Sequence, residues 1–133
     1  MMITIRSYDK TDNDAFFAMI EEEGGEWKGY INAKGRPMYE RALRTSHVFL
    51  AFDDGRLAGF VRVRDDDGFG IYVYDLLVLG PHRGKAIGKA LLDHARITFE
   101  DAPFYVMSDA DGYYEKLGYK TIGSVLTPGD PGN

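Results

Sequence analysis

Residues 78–92 read VLGPHRGKAIGKALL, and His82, Arg83, Lys85 and Lys89 concentrate positive charge there in a chain whose formal net charge is -5. Gly84 and Gly88 let the backbone come close to a ligand, and Ala86 between them adds only a methyl group. An apolar run that ends in a basic turn and then opens into a helical pattern gathers unpaired N–H groups, the positive end of a helix and local charge. That combination suits a compact, multiply charged anion such as a pyrophosphate. The same residues also fit a helix that merely begins after a proline-containing turn with its lysines in water, because short glycine motifs recur by chance. Two common nucleotide loops are absent: Gly84-Lys85 is followed by Ala86 rather than Ser or Thr, and no G-x-G-x-x-G occurs in the stretch.

Other residue types with chemical capacity lie on both sides of this turn. GYYEKLGY (112–119) carries two adjacent phenols, Tyr113 and Tyr114, each able to protonate a departing anion or to serve as an ordinary cleft or core aromatic. Asp75 interrupts the apolar run YVYDLLV three residues before Val78. A carboxylate there must face a cleft, a partner or the sheet edge, or else satisfy backbone donors at a strand end or bulge. Glu21, Glu22 and Glu23 could rim a site for cationic substrates, although charge runs are commonly solvated faces. His47, which begins a strand pattern, and His94, within a helical stripe, read as structural. No His/Asp/Glu cluster has ligand spacing, which predicts that no metal is bound.

The elements that must position these groups follow from periodicity. A length of 133 residues suits one domain with its own core. With no cysteine in the chain, thiolate metal sites, disulfides and cysteine nucleophiles are excluded. An acidic balance argues against nucleic-acid binding, and no apolar run approaches the ~20 residues of a membrane span. MMITIRSYDK lacks the apolar middle of a signal peptide, so the expected location is the cytoplasm.

MITIRSY predicts a first strand, and Thr11 with Asp14 a capping box ahead of a helix that stops at Gly24-Gly25. EWKGYINAKG reads as irregular, with Trp27, Tyr30 and Tyr39 available as aromatics, and Pro37 opens a short helix to about Arg44. HVFLAF and LAGFVRVR flank Asp54-Gly55 as a hairpin, and IYVYDLLVL is a third strand after a second turn. From about Arg83 the stripe Ile87, Ala90, Leu91, Ala95, Phe99 predicts a helix, broken at Asp101-Ala102-Pro103. FYVMS predicts a strand, YYEKLG a short helix closed by Gly118, and YKTIGSVL a last strand. The order β-α-α-β-β-β-α-β-α-β gives an α+β class: a mixed, mostly antiparallel sheet flanked by helices, with one parallel crossover. A single domain over 1–126 and an unordered tail over 127–133 are expected.

VLGPHRGKAIGKALL resembles the acetyl-CoA pyrophosphate loop of the GNAT superfamily of N-acyltransferases, with Ala86 where the family usually has Gly, and GYYEKLGYKTIG is similar to a second segment of that family. The resemblance covers the C-terminal half strongly and the N-terminal half only in element order. It implies a GNAT-like fold, acetyl-CoA as acetyl donor, and an amine of a small molecule or peptide as acceptor, which attacks the thioester directly in a ternary complex. It further implies that backbone groups of Leu77 and Val78 pair with the pantetheine arm, and that Arg83, Gly84, Lys85, Ala86, Ile87, Gly88 and Lys89 wrap the pyrophosphate. Tyr114 takes the proton-donor position with Tyr113 as its competitor, and Asp75 is the candidate base. A module that binds CoA without catalysis is the alternative, though a dead relative would be expected to lose the donor phenol that is retained here. An exposed sheet edge would favour a homodimer; no nucleic acid or membrane is expected as a partner.

Overall fold

In HVFLAFD, Val48 and Leu50 point to one side of the strand and Phe49 and Ala51 to the other, and all four are buried. A strand apolar on both faces has to be covered on both. The computed structural model, which describes residues 2–129, meets that requirement with a sheet between two helical layers. β1 (Ile3–Ser7), β2 (His47–Asp53), β3 (Arg56–Asp65) and β4 (Ile71–Val78) run antiparallel in sequence order, and β5 (Phe104–Val106) joins β4 in parallel. The β2–β3 hairpin turns on Asp54 and Gly55 at φ 49° and 85°, as a two-residue type I′ turn needs.

Helices α1 (Asn13–Glu23) and α2 (Gly35–Arg44) cover one face, where Phe16, Ile20 and Leu43 pack on Leu50, Phe60 and Leu77. Helix α3 (Ile87–Thr98) covers the other, with Ile87, Leu91, Leu92 and Ala95 on Ala51, Val61, Val63, Ile71 and Val73. A short α4 (Asp111–Lys116) follows β5. The expected α+β class with a mixed sheet is therefore correct. Among the described residues no helix is long and apolar enough to cross a membrane.

Four local expectations need correction. The capping box is formed by Asp9 and Asp12, not Thr11 and Asp14: Asp9 Oδ2 accepts from the Thr11 amide at 3.0 Å, and Asp12 Oδ2 accepts from the Asp9 amide at 2.8 Å. The chain enters α1 through a 3-10 turn (Lys10–Asp12), which moves the cap upstream. Helix α3 begins at Ile87, because Gly84 and Ala86 stand at positive φ and hold residues 83–86 as a loop. YKTIGSVL forms no strand. Ile122, Val125 and Leu126 are exposed, and the segment pairs with no described strand. EWKGYINAKG, read as irregular, contains a 3-10 helix over Gly25–Tyr30. Residues 127–129 lack regular structure, while 130–133 of the expected tail lie outside the described residues.

Phe60 is completely buried, its ring edge-on to Phe16 at 4.7 Å and to Trp27 at 5.8 Å. Phe60→Ala should destabilise the fold by about 3–5 kcal/mol, seen as a lower urea midpoint at unchanged slope. A loss below about 1 kcal/mol would mean that this face repacks around the missing ring.

Candidate functional site

The parallel ladder between β4 and β5 extends only from Ile71–Phe104 to Val73–Val106, and its last bond is the Met107 amide to the Val73 carbonyl at 2.9 Å. Beyond it the strands part, and β4 runs on to Val78 with β3 alone beside it. The register with β3 shifts at Arg62/Val63, so that Asp75 pairs with Arg62, Val73 with Val63, and Tyr74 is the extra residue of a bulge. Further along, the Leu79 amide donates to the Ala58 carbonyl at 2.8 Å. Strand alternation then directs Leu77 toward its register partner Phe60 and turns the backbone of Leu76 and Val78 into the gap. This corrects the expectation for Leu77: its backbone belongs to the β3 ladder, and the open edge is that of Leu76 and Val78. The gap is the floor of a cleft of about 1030 Å³.

At one end of the cleft lies the basic loop. Ala86 is the residue before α3, at φ 61° and ψ 25°, and no side chain caps the helix. The first amides of α3 therefore lack both an intrahelical partner and a side-chain substitute, beside a cleft lined by Arg83, Gly84, Ala86, Ile87, Gly88 and Lys89. Left-handed backbone in a residue with a Cβ costs about 1–2 kcal/mol. Arg83 spans the cleft mouth: Nε donates to the Val78 carbonyl at 2.9 Å and Nη2 to Glu23 Oε2 at 2.6 Å. Of the three glutamates considered for an acidic rim, only Glu23 lines the cleft. Lys85 is not among the lining residues; its Nζ turns away to Asp53 Oδ2 at 2.6 Å, so its side chain does not wrap a ligand in this arrangement.

Opposite the loop stands α4. GYYEKLGY proves to be a helix terminator: the Tyr119 amide donates to the Tyr114 carbonyl and the Gly118 amide to the Glu115 carbonyl, both at 3.0 Å, with Gly118 at φ 93°. This is a Schellman motif, and the Tyr114–Tyr119 ring contact at 5.8 Å supplies its apolar clasp. Tyr114 is thereby fixed on the cleft wall, and its hydroxyl makes no hydrogen bond with the described residues and is not sealed from solvent. Burial, then the neighbouring Tyr113 and Asp109, push its pKa above that of an ordinary phenol. Tyr113 lies differently. Its hydroxyl rests against Gly88, where an added Cβ would collide with it. A side chain at residue 88 would therefore displace the Tyr113 ring.

Asp75 sits on the floor at the bulge. Its Oδ2 accepts from Arg62 Nε at 2.6 Å and from the Tyr39 hydroxyl at 2.7 Å, while Oδ1 has no protein partner and is not closed off from solvent. Arg62 is held between the rings of Tyr39 and Tyr74, at 5.6 and 5.3 Å. Burial works against the guanidinium charge, but the hydrogen bond to Asp75, the charge of Asp75 and the neighbouring Tyr39 together outweigh it, so the Arg62 pKa is raised. Tyr39 is buried under the site, its phenol pushed far up by burial and by the charge of Asp75.

The remaining cleft wall comes from residues with no recognisable motif: Glu26, Trp27 and Tyr30 on one side, and Met107, Ser108 and Asp109 on the other. Glu26 and Asp109 have no ion-pair partner among the described residues. His47 and His94 pack edge-on to Phe99 and Phe49, away from the cleft lining. Sequence reasoning missed Asp53 altogether, although a signal was present: in HVFLAFD it continues the inward alternation of Phe49 and Ala51, which puts a carboxylate at a core position.

The arrangement has counterparts among known proteins. The solved structure of PaiA N-acetyltransferase from Thermoplasma acidophilum in complex with coenzyme A superposes with TM-score 0.73 at 21% identity, over 93% of this chain and 95% of that one. A GNAT-family protein of Xanthomonas campestris gives TM-score 0.72 at 27% identity, over 99% and 96%. Ribosomal-protein-alanine N-acetyltransferase of Brucella melitensis gives 0.72 at 22%, over 97% and 100%. No protein of curated function matches the sequence. A family profile described as acetyltransferase (GNAT) domain matches residues 9–127, which take in β2 to β5, both helical layers and the cleft, and the chain therefore belongs to the GNAT acetyltransferase family.

Proposed function

We propose that the protein transfers the acetyl group of acetyl-CoA to a primary amine of a small molecule or peptide, with donor and acceptor held together in one ternary complex. The observation that carries this reading is the cleft itself, where an uncapped helix start, the outward backbone of Leu76 and Val78 and a half-buried phenol line one continuous space. Its size of about 1030 Å³ suits a cofactor-sized ligand with a second reactant.

The residues fit the donor. The loop amides and the first turn of α3 present N–H groups of the kind that hold a pyrophosphate, with Arg83 and Lys89 at the rim, each paired to a carboxylate, Glu23 and Asp93, that an anion would compete with. Acetyl-CoA, when bound, supplies an activated thioester and a thiolate leaving group. The outward N–H of Leu76 or Val78 can donate to a carbonyl oxygen in the gap, and a donor of that type is worth about 3 kcal/mol where charge develops on the oxygen. Solvent in the cleft takes the first proton of the ammonium form and frees the nitrogen lone pair; Asp75 Oδ1 then accepts an N–H of the neutral amine, takes up the second proton as the C–N bond forms and passes it on to solvent. Tyr114 gives its hydroxyl proton to the sulfur as the C–S bond breaks, and solvent returns one to the phenolate. Glu26, Asp109, Trp27 and Tyr30 give the acceptor end an acidic and aromatic character, which favours an amine that arrives as a cation.

CoA should raise the melting temperature of the protein, and the rise should vanish in Gly88→Asp, which drives a carboxylate into Tyr113 beside the helix start, and in Arg83→Glu, which faces Glu23 with a second negative charge. An undiminished rise in both variants would remove CoA from this loop.

Tyr114→Phe keeps the ring and its Schellman contact and removes one proton. Single-turnover acetyl transfer should slow by about 10²–10⁴-fold, while CoA affinity stays near that of the unaltered protein. Full rate in Tyr114→Phe with loss in Tyr113→Phe would transfer the role to the neighbouring phenol.

The pH dependence has a definite sign. A phenol raised above the ordinary value of about 10 stays protonated at every lower pH. The single-turnover rate should show no alkaline decline below about pH 10. A decline centred near neutrality that survives in Tyr114→Phe would identify a different acid.

A further inference from the structure

Asp53 ends β2 as a carboxylate with a relative exposure of 3%, the one buried charged residue among those described. One of its oxygens, Oδ2, receives two groups from the loop between β4 and α3: His82 Nδ1 at 2.8 Å and Lys85 Nζ at 2.6 Å. The other, Oδ1, is buried with no partner. Nothing in the proposed chemistry uses this group, and an orphaned carboxylate oxygen in a core is costly enough to need a reason.

The reason lies in what the two contacts straddle. His82 and Lys85 flank Arg83-Gly84, and Lys85 immediately precedes Ala86, the alanine at φ 61°. A left-handed non-glycine residue persists where its surroundings over-determine it. Here the loop is gripped from both sides, by Asp53 on the α3 face of the sheet and by Glu23 through Arg83 at the cleft mouth. Releasing the Asp53 side would let Ala86 relax toward ordinary backbone and swing the amides of residues 84–88 out of line with the cleft.

We infer that Asp53 is a positioning residue for the cofactor loop: through His82 and Lys85 it holds the loop in its ligand-ready shape before anything binds, so that Lys85 contributes to anion binding through Asp53 and not by touching the anion. The inference rests on the proposed CoA site for its consequence, but the clasp itself can be tested without a ligand.

Hydrogen exchange of the unliganded protein should be followed over residues 80–90, where the His82, Arg83 and Ala90 amides are bonded to Leu79, Gly80 and Ala86. Asp53→Asn and Lys85→Met should each accelerate exchange there about tenfold and leave the later turns of α3 unchanged. Lys85 is partly exposed, so its variant decides the question if Asp53→Asn does not fold. Calorimetric titration with CoA should show each variant weakened about tenfold, and the double variant no weaker than the poorer single one, because both changes break one device. Unaltered exchange in both variants overturns the clasp. Losses that multiply in the double variant also overturn it, since Lys85 would then act on the anion independently. If the unaltered protein fails to bind CoA, the cofactor reading falls and the exchange result alone judges the clasp.

Discussion

The point at which β5 stops pairing with β4 governs the rest of the site. Beyond Val73, alternate residues of β4 turn their N–H and C=O groups to β3, and those of the residues between would normally be sealed by the next strand, because unpaired backbone groups are costly away from water. Two features prevent the seal. The bulge at Tyr74 sharpens the local twist of β4, and the chain after β5 turns away at Ser108, whose hydroxyl accepts the Ala110 amide at 3.0 Å. The resulting gap leaves donors and acceptors open along a strand and places α3 at its head. Binding capacity in this cleft is therefore largely main-chain capacity, and it arises from a ladder that ends early.

Two carboxylates bracket that strand. Asp75 reaches Arg62 and Tyr39 on the face covered by α1 and α2, while Asp53 reaches His82 and Lys85 on the α3 face. A buried ion pair is weak evidence for stability, since desolvation offsets most of the attraction. Position explains both better. Asp75 ties the bulge of β4 to α2 and leaves one oxygen toward the cleft, and Asp53 ties the loop to a strand remote in sequence. Together they fix the floor and the head of the cleft relative to the sheet.

The parts of this architecture that were legible in the sequence are those set by near neighbours. Alternation gave β2, β3 and β4, Asp54-Gly55 gave their hairpin, and the basic loop and GYYEKLGY stood out because their residues act within a few positions of one another. What stayed hidden depends on distant partners. The Leu77 expectation failed because a bulge and a register with β3 decide which amides face the gap. Lys85 looked like an anion ligand because its charge is visible in the sequence and its partner, on the far side of two strands, is not. YKTIGSVL has strand composition, but composition does not bring it to the free edge of β5. Glu26, Trp27 and Asp109 line the cleft from segments whose placement no spacing rule predicts.

GYYEKLGY also shows how a motif that draws attention as chemistry divides its residues between architecture and reaction. Gly118 and the Tyr119 amide terminate α4 on the Tyr114 carbonyl. Tyr113 places its hydroxyl against Gly88 in the first turn of α3. The Tyr119 hydroxyl is buried without a partner. Of the three phenols, only the Tyr114 hydroxyl combines a wall position in the cleft with no packing duty of its own, while its ring and its carbonyl are both held in place. A proton donor needs that separation: the atoms that fix it must differ from the atom that reacts, or every turnover would disturb the fold that positions it.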